Sequence, residues 1–509
     1  MEVSGIPDKE KSSKNWIFLI LLFLFVFSLR MFISLQYDNL TYDSYFDVRQ
    51  VEHILKTGIP DFNDELSYGG RIIYFSPIYD YIVAFFSLFF SIEIAIKLVS
   101  NLGMAFLVVL VYLLSYKIVK NKFSSYAASI ISFIIPILFF EGLFSTSVFS
   151  IILPLIIYLF YLFIDIDVEK NVYFYIYSSS LLSAIHPISV LFLLTLLIFF
   201  IILKISGMKR KEKAIESFLA SVFIILWDQL IIFKKAFFNH GVKIIYQNIP
   251  SVLLATHYPT VLLIDIMSFL GIVPFVIGCY LAYKYLFKAK NRPVFLVISL
   301  AITSLLAIWF RFVEPREGLL LLGLSFSILT SVYFAEIIAY LKITKFDYPR
   351  FTILTVLLVT IIFSASFIFL NFDKAQSEIV SNEIINDLKT LKANDEEIKG
   401  DKAVVAPIKY GHVITYFSQK PNLIDDNYLL RNDLENRIKD TDNIYISSNQ
   451  IEVLELFDFY KIGYVLVDED IKQKYKFLEH PTFYTPECFD VIKGSMLTIY
   501  RRKCDLVKT

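Results

Sequence analysis

Hydrophobic and polar positions in this chain are arranged in long blocks. Apolar runs lie near 16–36, 95–117, 124–141, 149–165, 172–186, 188–205, 214–234, 262–286, 293–310, 318–341 and 351–371. Each is close to the roughly 20 residues that carry a helix across a hydrocarbon layer, and there are about eleven of them. The short pair meeting at His186–Pro187 reads either as two spans or as one bent element. The run 77–93 is apolar as well. Asp80 inside it favours an interfacial or re-entrant piece, with a twelfth span as the alternative.

The polar blocks between the runs set an orientation. Lys9, Lys11 and Lys14 precede the first span, and Lys117, Lys120 and Lys122 follow the second. Lys204, Lys209, Arg210, Lys211 and Lys213 form the next basic turn, then Lys288, Lys290 and Arg292, then Lys342, Lys345 and Arg350. Basic loops stay on the cytoplasmic side, so every second loop and the N-terminus are expected there. Loops 37–76, 142–148, 235–261 and 311–317, with the tail from 372, are then extracytoplasmic. The first span has charged flanks and no A-x-A cleavage site, and reads as an anchor. The expected location is the cell membrane, crossed several times.

Two polar stretches carry their own periodicity. In the 37–76 loop, Tyr45, Val48, Val51 and Leu55 recur at helical spacing, predicting a helix over 44–57 that ends at Gly58. In the tail, 378–395 and 447–461 read as helices, VVAPI and KIGYVLVDED as strands, and 489–502 as a hairpin turning at Lys493-Gly494-Ser495. The expected fold class is therefore mainly α. A polytopic transmembrane bundle over 1–371 is followed by a soluble extracytoplasmic α/β domain over 372–509.

Composition agrees. The chain is 56% hydrophobic, with 50 Phe, 32 Tyr and only 16 Gly among 509 residues, and its mean hydropathy is +0.62. Lipid is the solvent for much of it. The formal net charge of zero leaves no basic footprint for nucleic acid. The cysteines, Cys279, Cys488 and Cys504, contain no C-x-x-C pair. Cys488 and Cys504 read equally as a disulfide or as two thiols. Phosphate-loop, HExxH and G-x-S-x-G motifs are absent.

Several polar residues stand out by position. Asp43 immediately precedes the 44–57 helix. It reads as an N-cap or, at the mouth of a membrane cavity, as a metal ligand or acceptor activator. Asp47 falls four residues on, on the same face, where a solvated charge is the commoner case. Arg311, Glu314 and Arg316 cluster where two spans meet outside. Arginine's planar fork suits a phosphate, and a Glu–Arg interface anchor is the alternative. His186 reads as a core or interfacial histidine, with a functional one as the alternative. Asp228, inside a span, either faces a cavity or pairs with Lys234 or Lys235.

The order of parts resembles the catalytic subunit of oligosaccharyltransferase, within the GT-C class of membrane glycosyltransferases. The resemblance runs from about 16 to 467. YDSYFDVRQVEHILKTG…ELSYGGR is similar to the family's first outer loop, with Asp43 where the family has a catalytic, metal-binding aspartate. FFEGLFSTSVFSIILPLIIY looks like the second acidic loop, but Ser145 and Ser147 stand at its acidic positions, with Glu141 nearby as a substitute. THYPTVLLIDIMSFLG offers only Asp265 where the family has a glutamate. AIWFRFVEPREGLLLLG places Arg311 on a lipid-phosphate-binding arginine. VVAPIKYGHVITYFSQKPNLIDDN resembles the segment with the WWDYG acceptor motif. There Tyr410 and Gly411 are retained, and Pro407, Ile408 and Lys409 replace Trp-Trp-Asp.

The resemblance implies transfer of a sugar or glycan from a polyprenyl-phosphate carrier to a protein or glycan acceptor outside the membrane. Asp43 would be catalytic, Arg311 and Arg316 would hold the lipid phosphate, and Tyr410, Gly411 and His412 would lie on the acceptor side. A divalent ion, Mg²⁺ or Mn²⁺, would have only Asp43 and Glu141 as ligands, and several GT-C relatives work without metal. The alternatives are a non-catalytic relative that binds a lipid-linked glycan or a partner, and a transporter or flippase. The latter would have two repeating halves, and no repeat is present.

Overall fold

The computed structural model describes residues 9–244, 249–343, 349–393, 402–477 and 480–504. Lys345 of the last basic turn and the end of the predicted 378–395 helix lie outside them. Six helices are long and apolar enough to cross a bilayer: Trp16–Ser34, Ile92–Val119, Glu212–Ile232, Arg292–Trp309, Pro315–Ile343 and Phe351–Ser377. The continuous run expected over 262–286 is instead two helices, Leu263–Leu270 and Ile272–Phe287, bent by 109°. Gly271 sits at the bend with φ +78°. Likewise 124–141 breaks into Lys122–Ile134 and Pro136–Phe140, because the residue before a proline leaves the helical region. The predicted 149–165, 172–186 and 188–205 runs are the helices Phe149–Ile164, Glu169–Ile185 and Ser189–Ile205. The Asp80 stretch yields only Ile78–Ser87, ten residues, half of a bilayer crossing. The chain is a multi-pass membrane protein.

Pro315–Ile343 runs through the middle of the bundle, with 89% of its most apolar 18-residue window buried. Phe351–Ser377 (17%) and Glu212–Ile232 (22%) turn most of their side chains outward, as lipid-facing helices do. Close crossings use small residues. A Cβ on Gly103 would lie 2.2 Å from the Ser150 carbonyl oxygen, so Ile92–Val119 can approach Phe149–Ile164 only with glycine there.

The C-terminal domain carries a four-stranded sheet of β3 (Ala403–Val405), β4 (Ile462–Val467), β5 (Phe489–Lys493) and β6 (Thr498–Arg502), in the order β3-β4-β6-β5. Strand β4 pairs parallel with β3 and antiparallel with β6. All six of its residues are buried, as its unbroken apolar run predicts for a central strand. One face packs on Leu434–Ile446 and Gln450–Phe459. The other shares a core with Val48, Val51 and Ile54 of the Ser44–Thr57 helix and Leu388 of Asn382–Ala393. The 37–76 loop thus shares a core with the C-terminal sheet, and the last long apolar helix runs on to Ser377 before that unit starts. A small hairpin in that loop, β1 (Asn63–Asp64) with β2 (Arg71–Ile72), is tied to the domain. Tyr68 donates its hydroxyl to the Asp425 carbonyl at 2.6 Å, and Ser67 donates to Asp425 Oδ2 at 2.7 Å.

Cys488 and Cys504 form a disulfide across a sequence separation of 16, and Cys279 is free. Closing a loop of that length restricts the unfolded chain. Replacing Cys488 with serine should cost about 3 kcal/mol, read as a lower unfolding midpoint of the soluble domain under non-reducing conditions only.

Candidate active site

Asp43 opens the Ser44–Thr57 helix without capping it. Its backbone is helical and its side chain bonds no helix N–H. The carboxylate instead accepts from the Thr41 hydroxyl at 2.5 Å, and Thr41 also meets Ser44 Oγ at 2.8 Å. Ser44 Oγ in turn accepts from the Thr146 backbone N–H at 2.9 Å, so the 37–76 and 142–148 loops are stitched together beside Asp43. The residue is exposed.

One helical turn on, Asp47 is half-buried rather than solvated. It shares a hydrogen bond with Asp80, which is buried on the short apolar helix. Burial pushes the Asp47 carboxyl up to about 6, the Thr146 hydroxyl opposes the shift, and Asp43 adds to it. The Asp47–Asp80 contact was not legible in the sequence. The one signal was a carboxylate inside an apolar run.

Below this pair sits Glu141, 4% exposed. Its Oε1 accepts from Ser147 Oγ at 2.5 Å, and its Oε2 from Arg316 Nε at 3.2 Å and NH2 at 3.1 Å. Arg316 is also within electrostatic reach of Asp43 and Glu378. Fully buried Arg30 fixes the loop from behind, donating to the carbonyls of Phe139 and Glu141 at 2.5 and 2.6 Å and to Asn101 Oδ1 at 2.9 Å. Sequence reasoning missed Arg30, which looks like an ordinary span-end charge. Arg311 lies apart. It is exposed in the turn before Pro315–Ile343, at φ +56°, a region arginine seldom occupies, and among the described residues its side chain has no partner.

The soluble domain closes the other side. Tyr410 is buried, and its hydroxyl is committed to Asp468 Oδ2 at 2.6 Å. Gly411 is required by close approach, since a Cβ there would lie 2.3 Å from Asp425 Cβ. Both retained residues of the acceptor motif are thus engaged within the domain. His412 lies next to the acids. Its Nε2 pairs with Asp426 Oδ1, and its ring packs 5.3 Å from Phe46. Burial disfavours charge on His412, but Asp426 and Asp425 outweigh it and raise its pKa to about 9. His257 meets Glu314 at 3.4 Å and packs 4.9 Å from the Tyr428 ring, completing the rim.

The residues do not suit a tightly held divalent ion. Glu141 has both oxygens engaged, Ser145 and Ser147 supply no carboxylate, and Asp47 beside Asp43 is shared with Asp80. His412, Asp425 and Asp426 can place one ligand atom each within 4.8 Å of one another, yet both oxygens of Asp425 are taken by Ser67, Asn422 and Asn427. Three other singled-out residues are structural. Asp265 accepts from the Leu262 N–H at 2.9 Å at a helix start. His186 is half-buried against Phe149, and its Nδ1 accepts from the Ile188 N–H. Asp228 accepts from Ser180 Oγ at 2.9 Å.

No protein-family model matches the sequence, and no curated protein does so at significance. Solved structures do match. The Archaeoglobus fulgidus oligosaccharyltransferase superposes with a TM-score of 0.66 at 12% identity, over 89% of this chain and 70% of that one. ArnT from Cupriavidus metallidurans, bound to undecaprenyl phosphate, gives 0.59 at 10% identity, over 96% and 99%. The mycobacterial arabinofuranosyltransferase AftD gives 0.56 at 12% identity, over 99% of this chain and 42% of that one. This chain has the fold of the GT-C membrane glycosyltransferases.

Proposed function

We propose that the protein transfers a sugar or glycan from a polyprenyl-phosphate carrier to an acceptor on the extracytoplasmic face. The observation that carries this is Asp43. It is an exposed carboxylate that does not cap its helix, at the contact between bundle and C-terminal domain, with Arg316 within electrostatic reach. The fold neighbours support the donor class, because one is bound to undecaprenyl phosphate and another to dolichol-phosphate and an inhibitory peptide.

The acceptor O–H or N–H attacks the anomeric carbon while the carbon–oxygen bond to the lipid phosphate breaks, and the phosphate leaves with the electron pair. Asp43 takes the acceptor's proton. Arg311 meets the charge growing on the leaving phosphate, and Arg316 holds Glu141 and keeps a positive field at Asp43. His412, charged beside Asp426, offers a hydrogen bond on the acceptor side.

Purified protein in vesicles should move label from a polyprenyl-phosphate sugar into the water-soluble fraction, and EDTA should leave the rate within about twofold. A chain that binds this donor yet never turns it over would instead be the non-catalytic relative, a reading favoured by Ser145 and Ser147. Orientation has its own test. With Cys279 removed, an Asn443→Cys variant should react with an impermeant thiol reagent in intact cells. Labelling only after lysis would put the site on the wrong face.

A further inference from the structure

A cavity of about 1180 Å³ lies along the Ser44–Thr57 helix. At 100° per residue, Tyr45, Glu52 and Lys56 point roughly opposite to Asp43 and Asp47, and all three line this cavity. The other walls are the exit of the first span, the first turns of Ile92–Val119, Asn382–Ala393, and Tyr416, Phe417 and Gln419. It therefore sits where two spans leave the bilayer. Its lip is apolar and exposed: Leu35 is 50%, Ile94 40% and Phe89, just before lining residue Ser91, 70% accessible.

The interior is cationic and not self-neutralised. Four lysines line it, Lys56, Lys97, Lys389 and Lys392, with the acids Asp38, Glu52 and Glu93. Glu52 is spent on the Tyr416 hydroxyl at 3.1 Å and on Lys56 at 3.6 Å. Asp38 and Glu93 flank Lys97, which is buried and donates to the Tyr37 and Asp38 carbonyls. Lys389 and Lys392 are exposed and pair with no carboxylate among the described residues. Lys389 has only the Phe417 ring, 5.8 Å away.

We infer that this cavity holds the phosphate headgroup of an anionic membrane lipid, with Lys389 and Lys392 on the phosphate and the acyl chains against Leu35 and Ile94. Ammonium groups at the membrane surface attract anionic headgroups, and the apolar lip selects a lipid over a free anion. The bound lipid would brace the Asp43 helix from behind. This inference does not depend on the catalytic reading.

Native mass spectrometry of the full chain, released from nanodiscs of phosphatidylglycerol or phosphatidylcholine, tests it. Wild type should retain one phosphatidylglycerol and no phosphatidylcholine. The Lys389→Glu, Lys392→Glu variant should retain it roughly tenfold less, whereas Asp43→Asn should retain it as wild type does. Equal retention of the two lipids, or undiminished retention by the charge-reversed variant, would overturn the inference. Displacement by millimolar inorganic phosphate alone would also overturn it, because the site would then be one for a free anion.

Discussion

Replacing Asp43 with asparagine should reduce transfer by about 10²–10⁴-fold, the range for losing a positioned general base, while leaving the fold intact. The second half of that expectation follows from geometry. Asp43 makes no bond to the helix N–H groups, and its one close partner, the Thr41 hydroxyl, can donate equally well to an amide oxygen. Exposure of the side chain adds no desolvation change, so stability should move by less than about 0.5 kcal/mol. The measurements are turnover of a polyprenyl-phosphate sugar in vesicles and the unfolding midpoint of the same preparation. An Asp43→Asn protein that turns over at the wild-type rate would remove the carboxylate from the chemistry.

The two arginines should separate cleanly when each is changed to methionine. Arg311 has no partner among the described residues and is exposed, so Arg311→Met should leave the unfolding midpoint where it is. It should weaken binding of a polyprenyl phosphate by about 1–3 kcal/mol, the value of a charge-assisted hydrogen bond. Arg316 is already engaged. Its partner Glu141 is 5% exposed while Arg316 itself is 50% exposed, so the pair is buried on one side only. Arg316→Met leaves Glu141 with the Ser147 hydroxyl alone. We expect a loss of about 1–3 kcal/mol in stability, below the 3–5 kcal/mol of a fully buried pair because water screens Arg316. Donor binding by isothermal titration and thermal unfolding of both variants would read the contrast. A stable Arg316→Met protein with lost donor affinity, beside an Arg311→Met protein with unchanged affinity, would exchange the two roles.

The contrast between Ser147 and its acidic counterpart has a physical reading as well. Ser147 Oγ lies 2.5 Å from Glu141 Oε1, close enough that a second carboxylate there would face the first with only Arg316 between them. A glutamate at 141 with a serine at 147 is thus one self-consistent solution, held by a hydrogen bond and a guanidinium rather than by an ion.

What the chain determines alone is the part of the structure governed by local period. Apolar runs became helical, because the hydrocarbon core demands internal backbone pairing whatever the neighbours are, although 124–141 and 262–286 each broke into two helices. The helix at 44–57 with its Gly58 stop, the buried β4 run and the hairpin at 489–502 follow from spacing and turn residues in the same way. Tertiary structure decided what local rules cannot carry. Whether Asp43 caps its helix or bonds Thr41 beside the 142–148 loop was a tertiary matter. Asp47 and Asp80, 33 positions apart, meet only because two short helices pack. Glu141 and Arg316 pair across 175 residues, and Tyr410 bonds Asp468 across 58. Each of these is a long-range polar contact whose partners carry no sequence period, so only the packed chain could bring them together.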